Sequence, residues 1–210
     1  MVIDIKNVSK EFENNFVLKN VNMRLEGGKI YGFIGRNGSG KSVLLKIICG
    51  LYRPSLGTVF FNNINIVENN MFAPNTRALI EKPDFIAELT GLENLEMLAS
   101  IQNKIGQSEI NDALENVNLI NEKDKQFGKY SLGMKQKLGI AQVLMEDTEV
   151  MIFDEPFNGI EEETSKKIRK ILLKKKQEGK IIIIASHIKE DMKKLADVIF
   201  SFDEGKVKKI

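Results

Sequence analysis

The chain has 210 residues, 42% of them hydrophobic and 29% charged, which suits one ordinary domain with a buried core and a wetted surface. Its 31 basic and 29 acidic residues leave a net charge of +2, which removes the electrostatic case for nucleic acid as a partner. A single cysteine excludes an internal disulfide and fits a reducing, cytosolic compartment. No apolar run approaches the roughly 18 residues needed to span a bilayer, so any membrane role is expected to pass through a separate chain.

The segment Met1-Val2-Ile3-Asp4-Ile5 alternates like a strand and does not read as a signal peptide. Val2 to Val8 and Val17 to Leu25 both carry that half-buried alternation. Gly27-Gly28 turns the chain into Ile30-Tyr31-Gly32-Phe33-Ile34, a short apolar run expected to be a central strand. A glycine-rich loop follows from Gly35 to Gly40. A helix is expected over Lys41–Leu51, with Val43, Leu44, Ile47 and Ile48 buried and Gly50 near its end. Cys49 falls in that apolar stripe and reads as a small core residue.

Val59-Phe60-Phe61 reads as a further strand. Residues 88–122 change character: Leu92, Leu95, Leu98, Ala99, Ile110, Leu114 and Val117 recur at helical spacing, predicting a helical insert. Strands resume at Val150-Met151-Ile152-Phe153. Glu161 to Glu178 is expected to be a helix with acids first and lysines late, stopped by Gly179. The run Lys174-Lys175-Lys176 then reads as a solvated helix face. Ile181 to Ala185 is another buried strand, and Val198 to Phe202 leads into a hairpin turn at Asp203-Glu204-Gly205-Lys206. Strands alternating with helices predict an α/β fold with a mostly parallel sheet.

Three segments carry chemistry. Gly35-Arg36-Asn37-Gly38-Ser39-Gly40-Lys41-Ser42 fits G-x-x-x-x-G-K-[ST] between an apolar strand and a helix. Glycines let backbone N–H groups curl around a phosphate, and the helix start adds its positive end. Lys41 is expected to reach the β and γ phosphates of ATP, and the Ser42 hydroxyl to ligate Mg²⁺. Val150-Met151-Ile152-Phe153-Asp154-Glu155 places two acids at a strand's C-terminal end. Strand alternation would point them different ways, leaving Asp154 for Mg²⁺ and Glu155 to orient and deprotonate the attacking water. His187, the one histidine, follows the strand ending at Ala185-Ser186 and is expected to contact the γ-phosphate.

With these segments in order, the chain resembles ABC transporter nucleotide-binding subunits over essentially its full length. The resemblance implies an α/β P-loop NTPase core with a mostly parallel sheet, an antiparallel β part near the N-terminus and a helical insert subdomain. It makes residues 1–210 one ATP-binding domain, with a core at 1–87 and 146–210 and the helical subdomain at about 88–145. It makes Phe12 the residue that stacks on adenine, Gly35–Ser42 (with Val43) the Walker A loop and Val150–Asp154 the Walker B strand. Glu155 matches the catalytic glutamate, His187 the switch histidine, and Asn158-Gly159-Ile160-Glu161 the D-loop.

The family's signature falls on Tyr130-Ser131-Leu132-Gly133-Met134. Ser131 is expected to cap a helix whose apolar stripe is Met134, Leu138, Ala141 and Met145. The resemblance implies that Ser131, Leu132 and Gly133 face ATP held by a second ATP-binding subunit, in a homo- or heterodimer. This sequence departs from the usual pattern at Leu132, where glycine is usual, and at Met134. It has Glu81 at the Q-loop where glutamine is usual, a carboxylate able to reach Mg²⁺ or water, and Glu161 where aspartate is usual. "ALIEKPDF" with "LTGLENL" and "YSLGMKQKLGIA" resembles the subgroup exporting bacitracin, lantibiotics and related peptides. That implies antimicrobial peptide resistance in a Gram-positive bacterium, with this subunit at the cytoplasmic face of the cell membrane on a separate permease. Two other readings stand beside it: a soluble ABC ATPase acting on ribosomes or DNA, and a weakly hydrolysing regulatory nucleotide-binding protein.

Overall fold

The computed structural model describes the backbone of residues 1–210 and every side chain except those of residues 189–191. The chain runs β1 (Val2–Phe12), β2 (Asn15–Glu26), β3 (Lys29–Ile34), α1 (Lys41–Ile48), β4 (Leu56–Phe61), β5 (Ile64–Asn65) and β6 (Thr76–Leu79). It continues through α2 (Gly91–Ser100), α3 (Gln107–Asn116), α4 (Leu132–Leu144), β7 (Val150–Asp154) and α5 (Glu162–Gln177). The last elements are β8 (Ile181–Ser186), α6 (Lys189–Leu195), β9 (Val198–Asp203) and β10 (Lys206–Lys209). Two sheets form, one ordered β2-β1-β4-β5 and one ordered β10-β9-β3-β8-β7-β6. The first is antiparallel throughout. The second is parallel except for the β9–β10 hairpin.

The central strands β3, β7 and β8 read as unbroken apolar runs because both their faces are covered. Alternate residues go to opposite sides. Tyr31, Phe33, Ile152 and Ile183 pack with α1 and the antiparallel sheet. Ile30, Ile34, Phe153 and Ile184 pack with α2 to α5. Helix α1 is thus enclosed between the sheets, which fixes the loop that precedes it.

Three elements escape the sequence reading. β6 is four residues long and contains Thr76 and Arg77, as suits a short edge strand; it is held parallel to β7, with Leu79 opposite Phe153. β5 has only two residues, and α6 follows β8 without an apolar run of its own. Helix α1 also stops at Ile48 rather than Leu51, because Gly50 takes φ +76° and the Leu51 and Tyr52 amides both turn back onto the Lys46 carbonyl. Cys49 is buried there, which pushes its thiol up to about 12 and leaves it inert.

The insert is latched to the rest by Asn94, which is 0% exposed. Its Oδ1 accepts from the Ile86 amide at 2.9 Å, and its Nδ2 donates to Ile86 O at 3.0 Å and Thr90 O at 2.9 Å. Asn94→Ala leaves the Ile86 amide without its partner and takes one of two donors from the Ile86 and Thr90 carbonyls, and a loss of about 1–3 kcal/mol in unfolding free energy is expected. Urea unfolding with an unchanged m-value checks this, and a shift too small to resolve contradicts it.

Candidate functional site

A depression of about 720 Å³ opens along the C-terminal ends of β3 and β7, the region where α/β sheets bind ligands. The expected residues Phe12, Asn37, Gly38, Gly40, Lys41, Ser42, Val43, Glu81, Leu132, Asp154 and Glu155 all line it. So do Val17, Lys82, Gln136 and Asn158. Gly35, Arg36 and Ser39 complete the loop between the lining residues, Ser131 and Gly133 flank Leu132 in the chain, and His187 reaches the site through its contact with the lining residue Glu155.

The loop from Gly35 to Ser42 joins β3 to α1. Gly40 is the N-cap of α1 with φ +101° and supplies no side-chain cap, so the first-turn amides remain available to an outside anion. A side chain at Gly40 would also bring Cβ within 2.8 Å of Val17 O and Leu18 Cδ2. The Lys41 ammonium is folded onto the loop itself, donating to Gly35 O at 2.7 Å and Arg36 O at 3.0 Å. Burial pushes it below its usual value, against the pull of Glu155 and Asp154. The Ser39 hydroxyl is buried without a hydrogen-bond partner.

Ser42 Oγ donates to Asp154 Oδ2 at 2.5 Å. Burial pushes the Asp154 carboxyl above its ordinary value, opposed by the Ser42 hydrogen bond and by Lys41. A hydroxyl and a carboxylate in direct contact are two hard oxygen donors, which fits Mg²⁺. Among the described residues no cluster of three His, Cys, Asp or Glu could hold a metal.

Asp154 and Glu155 bond to different partners, for a reason other than strand alternation. β7 ends at Asp154, and Glu155 takes φ +49°, a left-handed conformation that costs a non-glycine residue energy and marks a constrained site. Its amide donates to Ala185 O at 2.9 Å. Its carboxylate accepts from the His187 amide at 2.9 Å and the Ser186 hydroxyl at 3.3 Å, and pairs with His187 Nδ1 at 2.9 Å. His187 is therefore bound to Glu155 in this structure.

Helix α4 braces this arrangement. Ser131 caps it as expected, accepting from Met134 N at 3.3 Å. Gln136, which the sequence reading passed over, donates to Glu155 O at 3.2 Å and Pro156 O at 3.3 Å. A buried polar residue inside an otherwise apolar helix face was the signal available for it. Lys137 pairs with Glu161 at 2.8 Å and holds that carboxyl below its usual value. Gly133 packs so close to the Asn158–Gly159 turn that a Cβ there would lie 2.5 Å from Gly159 O. Leu132 remains 63% exposed.

Phe12 is 41% exposed, lies under the Lys10 ammonium at 4.8 Å, and meets Tyr52 edge-on at 5.9 Å. Glu81 takes φ +65° just beyond β6. Its carboxylate accepts from Lys46 Nζ at 2.5 Å.

The family profile described as ABC transporter matches residues 18–158. The bacitracin transport ATP-binding protein BcrA of Enterococcus faecalis is 40% identical over 206 residues, which cover 97% of this chain and 67% of that protein. The lantibiotic transport ATP-binding protein SrtF of Streptococcus pyogenes is 34% identical over 206 residues, covering 98% and 89%. Among solved structures, the ATP-binding subunit of an ABC transporter superposes with a TM-score of 0.89 at 24% identity, covering 100% of this chain and 90% of that one. A dimeric, post-hydrolysis ATP-binding cassette bound to ADP and Pi gives 0.87 at 23% identity, covering 99% and 98%.

Proposed function

The chain belongs to the ABC transporter ATP-binding family, and from that premise we propose that it hydrolyses ATP to drive a separate permease that exports antimicrobial peptides. The observation that carries this reading is the convergence on one depression of an uncapped loop–helix junction, the Ser42–Asp154 contact and a Glu155 carboxylate held by Ser186 and His187. The assignment to peptides rests on the likeness to bacitracin and lantibiotic transport proteins.

Phe12 stacks on adenine. The Gly35–Ser42 amides and the Ser39 hydroxyl cradle the phosphates, and Lys41 moves from the Gly35 and Arg36 carbonyls to the β and γ phosphates. Ser42 and Asp154, with Glu81 nearby, would hold Mg²⁺, which when bound neutralises phosphate charge. Glu155 accepts the proton of the attacking water as its oxygen bonds to the γ-phosphorus and the bond to the β–γ bridging oxygen breaks, releasing ADP. His187 keeps Glu155 aimed and contacts the γ-phosphate. Ser131, Leu132 and Gly133 complete the site of a second ATP-binding subunit, so that ATP closes a dimer and hydrolysis reopens it. Residues 88–145 act as a helical subdomain against a core of 1–87 and 146–210. They pass that motion to the permease at the cytoplasmic face of the membrane. No helix among the described residues is long and apolar enough to cross a membrane.

The test is ATP turnover in vesicles containing this chain and a separate multi-span permease with which it co-purifies. Bacitracin or a lantibiotic is expected to raise turnover severalfold. Turnover indifferent to every peptide, while the complex still hydrolyses ATP, leaves the ATPase and removes the assigned cargo.

A further inference from the structure

The Glu81 carboxylate enters the depression already paired. Its partner Lys46 lies on α1, the same helix that begins with Lys41. Lys46 Nζ is 2.5 Å from Glu81 Oε1 and sits over the Tyr52 ring, 5.0 Å from its centroid. The Tyr52 ring in turn meets Phe12 edge-on at 5.9 Å. Phe12 and Glu81 both line the depression, and Lys46 and Tyr52 link one to the other.

We propose that Lys46 is a positioning residue for Glu81: it cancels the charge of that carboxylate and, with Tyr52, ties it to the base-stacking platform at Phe12. The proposal rests on the nucleotide reading given above and assigns it a new residue. Asp154, Glu155 and Glu81 together surround the place for a triphosphate that is itself strongly negative. An uncompensated Glu81 would repel it. Glu81 also holds a left-handed backbone, a conformation that persists only where its surroundings impose it. The Lys46 contact supplies one such constraint.

Stability does not account for the pair. The Glu81 side chain is 63% exposed, and ion pairs of that kind contribute little to folding. The plainer alternative is that Lys46, in the last turn of α1, only complements the helix dipole. That role is indifferent to what stands at position 81. A pairing role vanishes when Glu81 loses its charge, and this difference decides between them.

The experiment is a double-mutant cycle on the full chain, measuring MgATP affinity with a fluorescent ATP analogue and kcat and KM for hydrolysis. Lys46→Met is expected to weaken MgATP binding and raise KM about fivefold, the scale of coupling between contacting charges. It is expected to leave kcat within about twofold, as loss of uniform binding does. In the E81Q background the same substitution is expected to change either constant by less than about 1.5-fold, and K46R to keep most of the wild-type affinity, because the charge pair is what is measured. Equal losses from K46M with and without E81Q overturn the pairing and favour the helix-dipole role. No loss in either background overturns both. Should K46M lose its thermal transition, K46Q carries the same cycle. A wild-type chain that binds no ATP defeats the nucleotide reading itself, an outcome separate from these.

Discussion

Replacing Glu155 with Gln is expected to lower ATP turnover by about two to four orders of magnitude, the usual contribution of a positioned general base. The exchange is nearly isosteric. The amide oxygen can take the place of Oε1 and accept from the His187 amide, while the amide NH2 takes the place of Oε2 and donates to the Ser186 hydroxyl, which reverses its role, so the local backbone should persist. What is lost is the ability to take a proton from the attacking water. Nucleotide affinity should therefore hold or rise, since ATP remains bound in a state it cannot leave by hydrolysis. Steady-state phosphate release beside equilibrium ATP binding separates the two effects. A variant that turns over at a rate near wild type removes Glu155 from its assigned place.

Lys41→Ala is expected to act on the other step, weakening ATP binding about a hundredfold, the scale of losing a desolvated charge contact. The side chain is buried, and burial depresses its ammonium while Glu155 and Asp154 support it. In the present conformation its hydrogen bonds go to the Gly35 and Arg36 carbonyls. The alanine variant thus also frees two loop acceptors, and its thermal transition should be recorded beside its affinity. Unchanged affinity in a folded variant contradicts the phosphate-loop assignment.

How much of this was legible depends on how locally each feature is encoded. The loop from Gly35 to Ser42 is contiguous, and its glycines and Lys41 announce it without any tertiary information. Strands β7 and β8 are legible for the same reason: Val150 to Phe153 and Ile181 to Ala185 are buried on both faces and carry no polar residue. β6 is not, because Thr76 and Arg77 sit at a sheet edge where polar side chains are tolerated, and only its pairing with β7 makes it a strand. The separation of Asp154 from Glu155 was expected for the wrong reason. Alternation predicts it in a continuing strand, yet the strand ends and a left-handed Glu155 makes the turn.

The contacts between segments that no motif links were the least visible. Gln136 reaches the carbonyls of Glu155 and Pro156, Lys46 reaches Glu81, and Tyr52 reaches Phe12. None of these pairs shares a helix or strand, so no periodicity announces it. The departures at Leu132 and Glu81 were visible as letters, but their settings were not. Leu132 stands exposed beside a glycine that the close approach of Gly159 requires, and Glu81 meets a lysine from α1.

The central claim is that this depression binds ATP and cleaves it with the chain's own carboxylate. ATP binding and phosphate release, measured together on wild type, K41A and E155Q, test it most directly. The account predicts binding and release by the wild type, binding without release by E155Q, and loss of both by K41A. Phosphate release that survives both substitutions contradicts it.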